Sequence, residues 1–246
     1  MFRATMLFLI AIFAAPAGAQ EGGDLQAQIL YAFHTEDTHQ LSNLVQFLTT
    51  QVTAGDASAS LHYHLAHALY RYGLLLGENR SGDPGAAFVN CTDQLKPVLE
   101  QDVKSAEALV LESACYANLA KYRHFEAVLL RSRAADRLAQ AFALAPRNPR
   151  VLYFKAMDGL ARSKPGSPEN TQAFAELQQA AQLFEQSSAT REDAPGWGHA
   201  EAYLALGMQL EQRGDLLGAR NWIEKSLIVA PDYKKAQREL ASLVRR

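Results

Sequence analysis

The sequence predicts an all-α fold: an α-solenoid of about five stacked antiparallel helix pairs, ended by a C-terminal capping helix. Three observations carry this. Apolar residues recur with helical period from Asp24 to the end of the chain, and the alternation and hairpin signals of β-strands are nearly missing. One spacing also occurs twice in phase, as Ala134-x-x-x-Leu138-x-x-Ala141-x-x-x-x-Pro146 and as Ala219-x-x-x-Ile223-x-x-Ser226-x-x-x-x-Pro231. Composition agrees: 246 residues, 48% hydrophobic and 20% charged, can bury a sizeable core. The balance of 24 basic against 26 acidic residues leaves no electrostatic footprint for nucleic acid. It also shows no polybasic stretch of the kind that holds a protein on anionic lipid.

In chain order, the first segment reads as a secretory leader. Arg3 precedes an apolar run from Met6 to Ala15, and Ala17-Gly18-Ala19 offers small residues for cleavage after Ala19. The run is about ten residues, half of what a membrane span needs. Gln20 rather than cysteine follows the cleavage point, so a lipid anchor is not expected. Residues 20–246 then form one helical-repeat domain in an oxidising space, most simply a bacterial periplasm, or outside the cell.

Asp24 to Phe33 and His39 to Val52 make the first helix pair. Leu65-Ala66-x-x-Leu69 and a helix from Gly85 to Glu100 make a looser second pair. Ala106 to Ala120, with Leu109, Ser113 and Tyr116, precedes the Ala134 helix. Tyr116 to Ala134 is 18 residues, against 9 for Leu210 to Ala219, so this pair must carry longer helices or a longer turn. Cys91 and Cys115 fall on adjacent helices. Paired, they close a loop of about 25 residues and stabilise by roughly 3 to 4 kcal/mol; two buried thiols are the alternative.

Leu152, Ala156 and Leu160 mark the next first helix. Ser167-Pro168-Glu169 starts its partner, with serine as cap and proline in the first turn, and Ala173, Leu177 and Ala180 continue it. Ser187 to Gly198 reads as an inserted loop. The last pair is the clearest: Tyr203-x-x-Leu206-Gly207-x-x-Leu210, Gly214-Asp215, then Ala219 to Pro231. Gly207 allows close approach of the second helix, Gly214 fits a left-handed turn, and Pro231 stops the helix. A final helix through Leu240 and Val244, polar on its other side, reads as a solubilising cap.

Ala200 to Tyr233 spans 34 residues, and its small and large positions resemble a tetratricopeptide repeat (TPR). The likeness is clear for 200–233, partial for 105–146 and weak elsewhere. It implies that first helices line a concave wall, and phasing on Ala66, Ala156 and Gly207 puts Tyr63, His67, Tyr70, Tyr153, Met157 and Met208 there. Such a wall can bind an extended or helical peptide, or be filled by the chain's own helices and inserted loop. The resemblance implies a non-catalytic protein-interaction scaffold with a protein or peptide partner. The Lys, Asn and Arg clamp by which chaperone-binding members hold a terminal carboxylate is not matched.

Nothing points to chemistry. There is no Gly-x-Ser-x-Gly elbow, no phosphate-binding glycine loop and no Cys-x-x-Cys. His62, His64 and His67 crowd one segment, but only His64 and His67 share a helical face, so a metal would need a ligand from elsewhere. No cofactor is expected. The alternative reading is a small-ligand or metal-binding accessory protein of an envelope transporter, using those histidines or the Tyr/Met wall.

Overall fold

The computed structural model describes residues 17–55, 58–187 and 196–245. The expected leader run from Met6 to Ala15 lies outside them. Among the described residues there are eleven α-helices and no strand: α1 (Ala17–His34), α2 (Thr38–Thr53), α3 (Ala59–Glu78), α4 (Pro84–Gln101), α5 (Ala106–Leu119), α6 (Ala127–Leu144), α7 (Pro149–Arg162), α8 (Pro168–Ser187), α9 (His199–Gln212), α10 (Leu216–Val229) and α11 (Lys234–Val244). None is long and apolar enough to cross a membrane.

Helix starts follow from single polar residues. Asp37, Ser58, Asp83, Ser105 and Asp215 each accept a hydrogen bond from the backbone N–H three residues on, and Asn148 accepts from Arg150 and Val151. Ser167 caps α8 through Asn170 N–H. Each cap satisfies donors that a helix N-terminus otherwise leaves bare. Consecutive helices pack as α3 on α4, α5 on α6, α7 on α8 and α9 on α10, with α1 and α2 less extensively paired. First helices of successive pairs also touch, α3 with α5 and α5 with α7.

The last pair packs as its spacing predicts. A Cβ added to Gly207 would sit 2.6 Å from Ile223 Cγ1 and 3.0 Å from the Ala219 carbonyl, so the two helices meet backbone to side chain there. Ala219, Ile223 and Ser226 are fully buried, and the Ser226 hydroxyl donates to the Ala200 carbonyl. Gly214 has φ +83°, the left-handed turn expected. The extra length between Tyr116 and Ala134 has two sources. α6 begins at Ala127, well before Ala134, and a 3-10 turn at His124–Glu126 precedes it. Cys91 on α4 and Cys115 on α5 are bonded, linking the second and third pairs, with Cα atoms 6.4 Å apart.

The two ends of the array meet. Arg238 of α11 donates to both carboxylate oxygens of Glu36, 202 positions away, at 2.8 and 2.5 Å. The Tyr233 ring lies 4.4 Å from that of His34 and 6.4 Å from that of Phe33. Lys235 lies 3.5 Å from Glu78. The predicted solubilising cap therefore does more: its basic side chains reach the N-terminal pairs.

Candidate functional site

Where the ends come together they frame an open cavity of about 660 Å³ on the concave side. Every first helix lends a wall: Phe33 from α1, Tyr70 from α3, Ala117 from α5, Met157 from α7 and Met208 from α9. The wall is mixed. Tyr153, Phe154 and Leu204 are apolar, while Asp158 and Arg162 pair with each other and Lys235 with Glu78. Ala117, Ala135 and Ala161 are exposed cavity residues, so small side chains leave the space open.

Four of the six residues placed on the concave wall by sequence do line it: Tyr70, Tyr153, Met157 and Met208. Tyr63 and His67 do not, and the inserted loop is the reason. Its last residues bring Trp197, 1% exposed, onto α3. The indole Nε1–H donates to Tyr63 Oη at 2.9 Å, and the indole stacks on His67 with centroids 5.1 Å apart. The self-filling weighed against an open groove thus occurs at the end nearest Tyr63, while the rest stays open.

A buried charge network supports this plug. Arg71, 3% exposed, donates through Nε to His67 Nε2 at 3.0 Å and pairs through its terminal nitrogen with Glu201 at 2.7 Å. Because arginine only donates, His67 Nε2 must be the acceptor and the ring proton sits on Nδ1. Nδ1 is buried without a hydrogen-bond partner among the described residues. His34 Nε2 lies 3.4 Å from the same Glu201 oxygen, and the other oxygen accepts from Gly198 N–H. Burial pushes the Glu201 carboxyl up, but Arg71 and His34 outweigh it and hold the group well below the usual carboxylate range. Burial, reinforced by Arg71, drives His67 well below its ordinary value. Arg150, 5% exposed, ties the plug to α5: Nε donates to Glu107 at 2.7 Å and a terminal nitrogen to the Trp197 carbonyl at 3.1 Å.

The three clustered histidines separate. His67 belongs to this network, His62 Nδ1 lies 2.7 Å from Gln94 Oε1, and His64 is half-buried. Among the described residues no three metal-ligating side chains converge. Arg71, Glu201 and Trp197 were missed by sequence reasoning. Arg71 and Glu201 are adjacent in no linear pattern, and within the inserted loop Ser187 to Gly198 nothing in the spacing singles out Trp197 as the residue that fills the groove.

No protein-family model matches the chain, and no curated protein matches it by sequence. Among solved structures, a thermophilic TPR protein of Thermus thermophilus superposes with a TM-score of 0.58 at 17% identity, covering 93% of this chain and all of that one. Yeast Tom70 matches at 13% identity over 98% of this chain and 67% of its own, with a TM-score of 0.24. Its paired helices and the likeness to the Thermus structure make the chain an all-α, TPR-like solenoid.

Proposed function

We propose that this chain is a non-catalytic interaction scaffold of the cell envelope, exported by its leader, which holds a segment of a protein partner in the concave cavity. The cavity carries this reading: an open volume of about 660 Å³ walled by Tyr153, Met157, Leu204 and Met208, with charged pairs at its margin. Adaptable methionines and rigid aromatics are what a peptide side chain buries against. The export reading is supported by the leader pattern at residues 1–19 and by the Cys91–Cys115 bond, which persists in oxidising compartments. The same cavity volume lies within the range of small-molecule pockets, and it favours the small-ligand accessory protein as the second reading.

Ala161→Trp tests the scaffold reading, because it fills the cavity from an exposed position without removing a core contact. Crosslinked partners recovered from the native envelope should be lost in this variant while its thermal melting stays unchanged. Capture that is identical to the unaltered chain's would place partner binding elsewhere. Fractionation of the host, with N-terminal sequencing of the mature chain, checks export and cleavage after Ala19.

A further inference from the structure

The turn between α5 and α6 presents apolar surface that the cavity does not use, although the neighbouring Lys121 and Arg131 stand at the cavity's edge and also line it. Phe125 is fully exposed at 108%, Val128 is 82% exposed and Leu129 is 52% exposed, whereas the neighbouring Tyr122 stacks its ring on Phe88. Phe125, Val128 and Leu129 fall at i, i+3 and i+4 across the 3-10 turn and the first turn of α6, so they share one face. Three large apolar side chains in water at one tip cost solvation that burial elsewhere would recover.

The surrounding charge says what could cover them. Residues 121–133 hold Lys121, Arg123, Arg131 and Arg133 against Glu126 alone, a local excess of three positive charges in a chain whose net charge is −2. Among the described residues none of the four cations forms an ion pair with a carboxylate. Lys121 donates to Asn118 Oδ1, and Arg133 lies over the Tyr116 ring. Arg131 follows Val128 by three positions and Arg133 follows Leu129 by four. Both therefore sit one turn behind the apolar tip, about 5 Å along the helix axis. An apolar face that enters a bilayer by roughly 5 to 10 Å would leave these long side chains at the phosphate level, where they can extend toward it.

We propose that the α5–α6 tip docks on an anionic lipid surface, with Phe125, Val128 and Leu129 entering the acyl boundary and Lys121, Arg123, Arg131 and Arg133 meeting the phosphates. A protein surface is less suited. Protein anchors fill shaped pockets, and Phe125 stands clear of every neighbour, whereas a fluid interface needs no matching shape. The absence of an uninterrupted basic run hid this from the linear sequence. Charge alone is too dilute, and only the fold sets it around an exposed apolar tip.

The test uses Glu126→Cys carrying an environment-sensitive fluorophore. Cys91 and Cys115 are bonded to each other, so the new thiol is the one available for labelling. Phosphatidylglycerol-containing vesicles should shift the emission to the blue and phosphatidylcholine vesicles should not, with the response weakening as salt rises. Adding Phe125→Ser and Val128→Ser should weaken the response about tenfold or more. Arg123→Gln with Arg133→Gln should weaken it roughly tenfold or more as well. All four positions are exposed, so folding is retained, and circular dichroism verifies it. No emission shift with either vesicle, an equal shift with both, or a shift that ignores the serine substitutions overturns the proposal. So does a shift produced by an added envelope protein and by neither vesicle, which would assign the tip to a protein partner.

Discussion

At Glu201 one carboxylate answers Arg71, His34 and the Gly198 N–H at once. Breaking a buried pair strands the other charge, so Glu201→Gln should cost about 3 kcal/mol in urea unfolding at neutral pH. The pH dependence has a definite sign. Folded Glu201 holds its proton less tightly than the unfolded carboxyl near 4.5, so its contribution is complete above that pH and is lost as pH falls toward the folded value. Folded His67 stays neutral while the unfolded ring protonates near 6.5, so its stability also drains away below about that pH. Stability measured against pH should therefore decline in two stages on acidification, and Glu201→Gln should flatten the lower one. Trp197→Ala should cost about 3 to 5 kcal/mol in the same unfolding assay, since it vacates a site packed against His67 and Phe154 and removes the indole donor to the Tyr63 hydroxyl.

At the scale of helix pairs, the close crossing at Gly207 sets propensity against packing. Alanine is worth about 1 kcal/mol more than glycine in a helix, yet here its methyl group would meet Ile223 and the Ala219 carbonyl inside contact distance. The clash wins, because the obstructing oxygen is backbone and the helices must part. Gly207→Ala should destabilise by about 1 to 3 kcal/mol in thermal or denaturant melting. The Cys91–Cys115 link acts on a different pair of elements. Cys91→Ala with Cys115→Ala should cost about 3 to 4 kcal/mol, and adding reductant should lower the melting temperature of the unaltered chain toward that of the variant. Helix existence and phase were readable at this scale because caps and helical-period spacing are local. The 18-residue spacing between Tyr116 and Ala134 was readable only as an anomaly, since length alone does not say whether a turn or a helix takes up the excess.

For the whole molecule, the meeting of α11 with α1 separates this array from an open rod. The Glu36–Arg238 pair is exposed and contributes about 1 kcal/mol or less, whereas Tyr233, 5% exposed against His34, supplies the apolar part of the junction. Tyr233→Ala with Arg238→Ala should free α11 at its N-terminal end. Hydrogen exchange of residues 234–244 should then rise well above that of α9, with small-angle scattering reporting a more open molecule.

Local spacing was enough to specify the helices, their antiparallel pairing, the Gly207 crossing and the Gly214 turn, because each rests on residues a few positions apart whose stereochemistry leaves little choice. The repeat's phase likewise placed Tyr70, Tyr153, Met157 and Met208 on the inner wall. Long-range packing alone brought Trp197 over Tyr63 and His67, set Arg71 against Glu201 from far along the chain, and joined the two ends. Those contacts depend on the accumulated curvature of successive pairs, a sum of small rotations that no local spacing records.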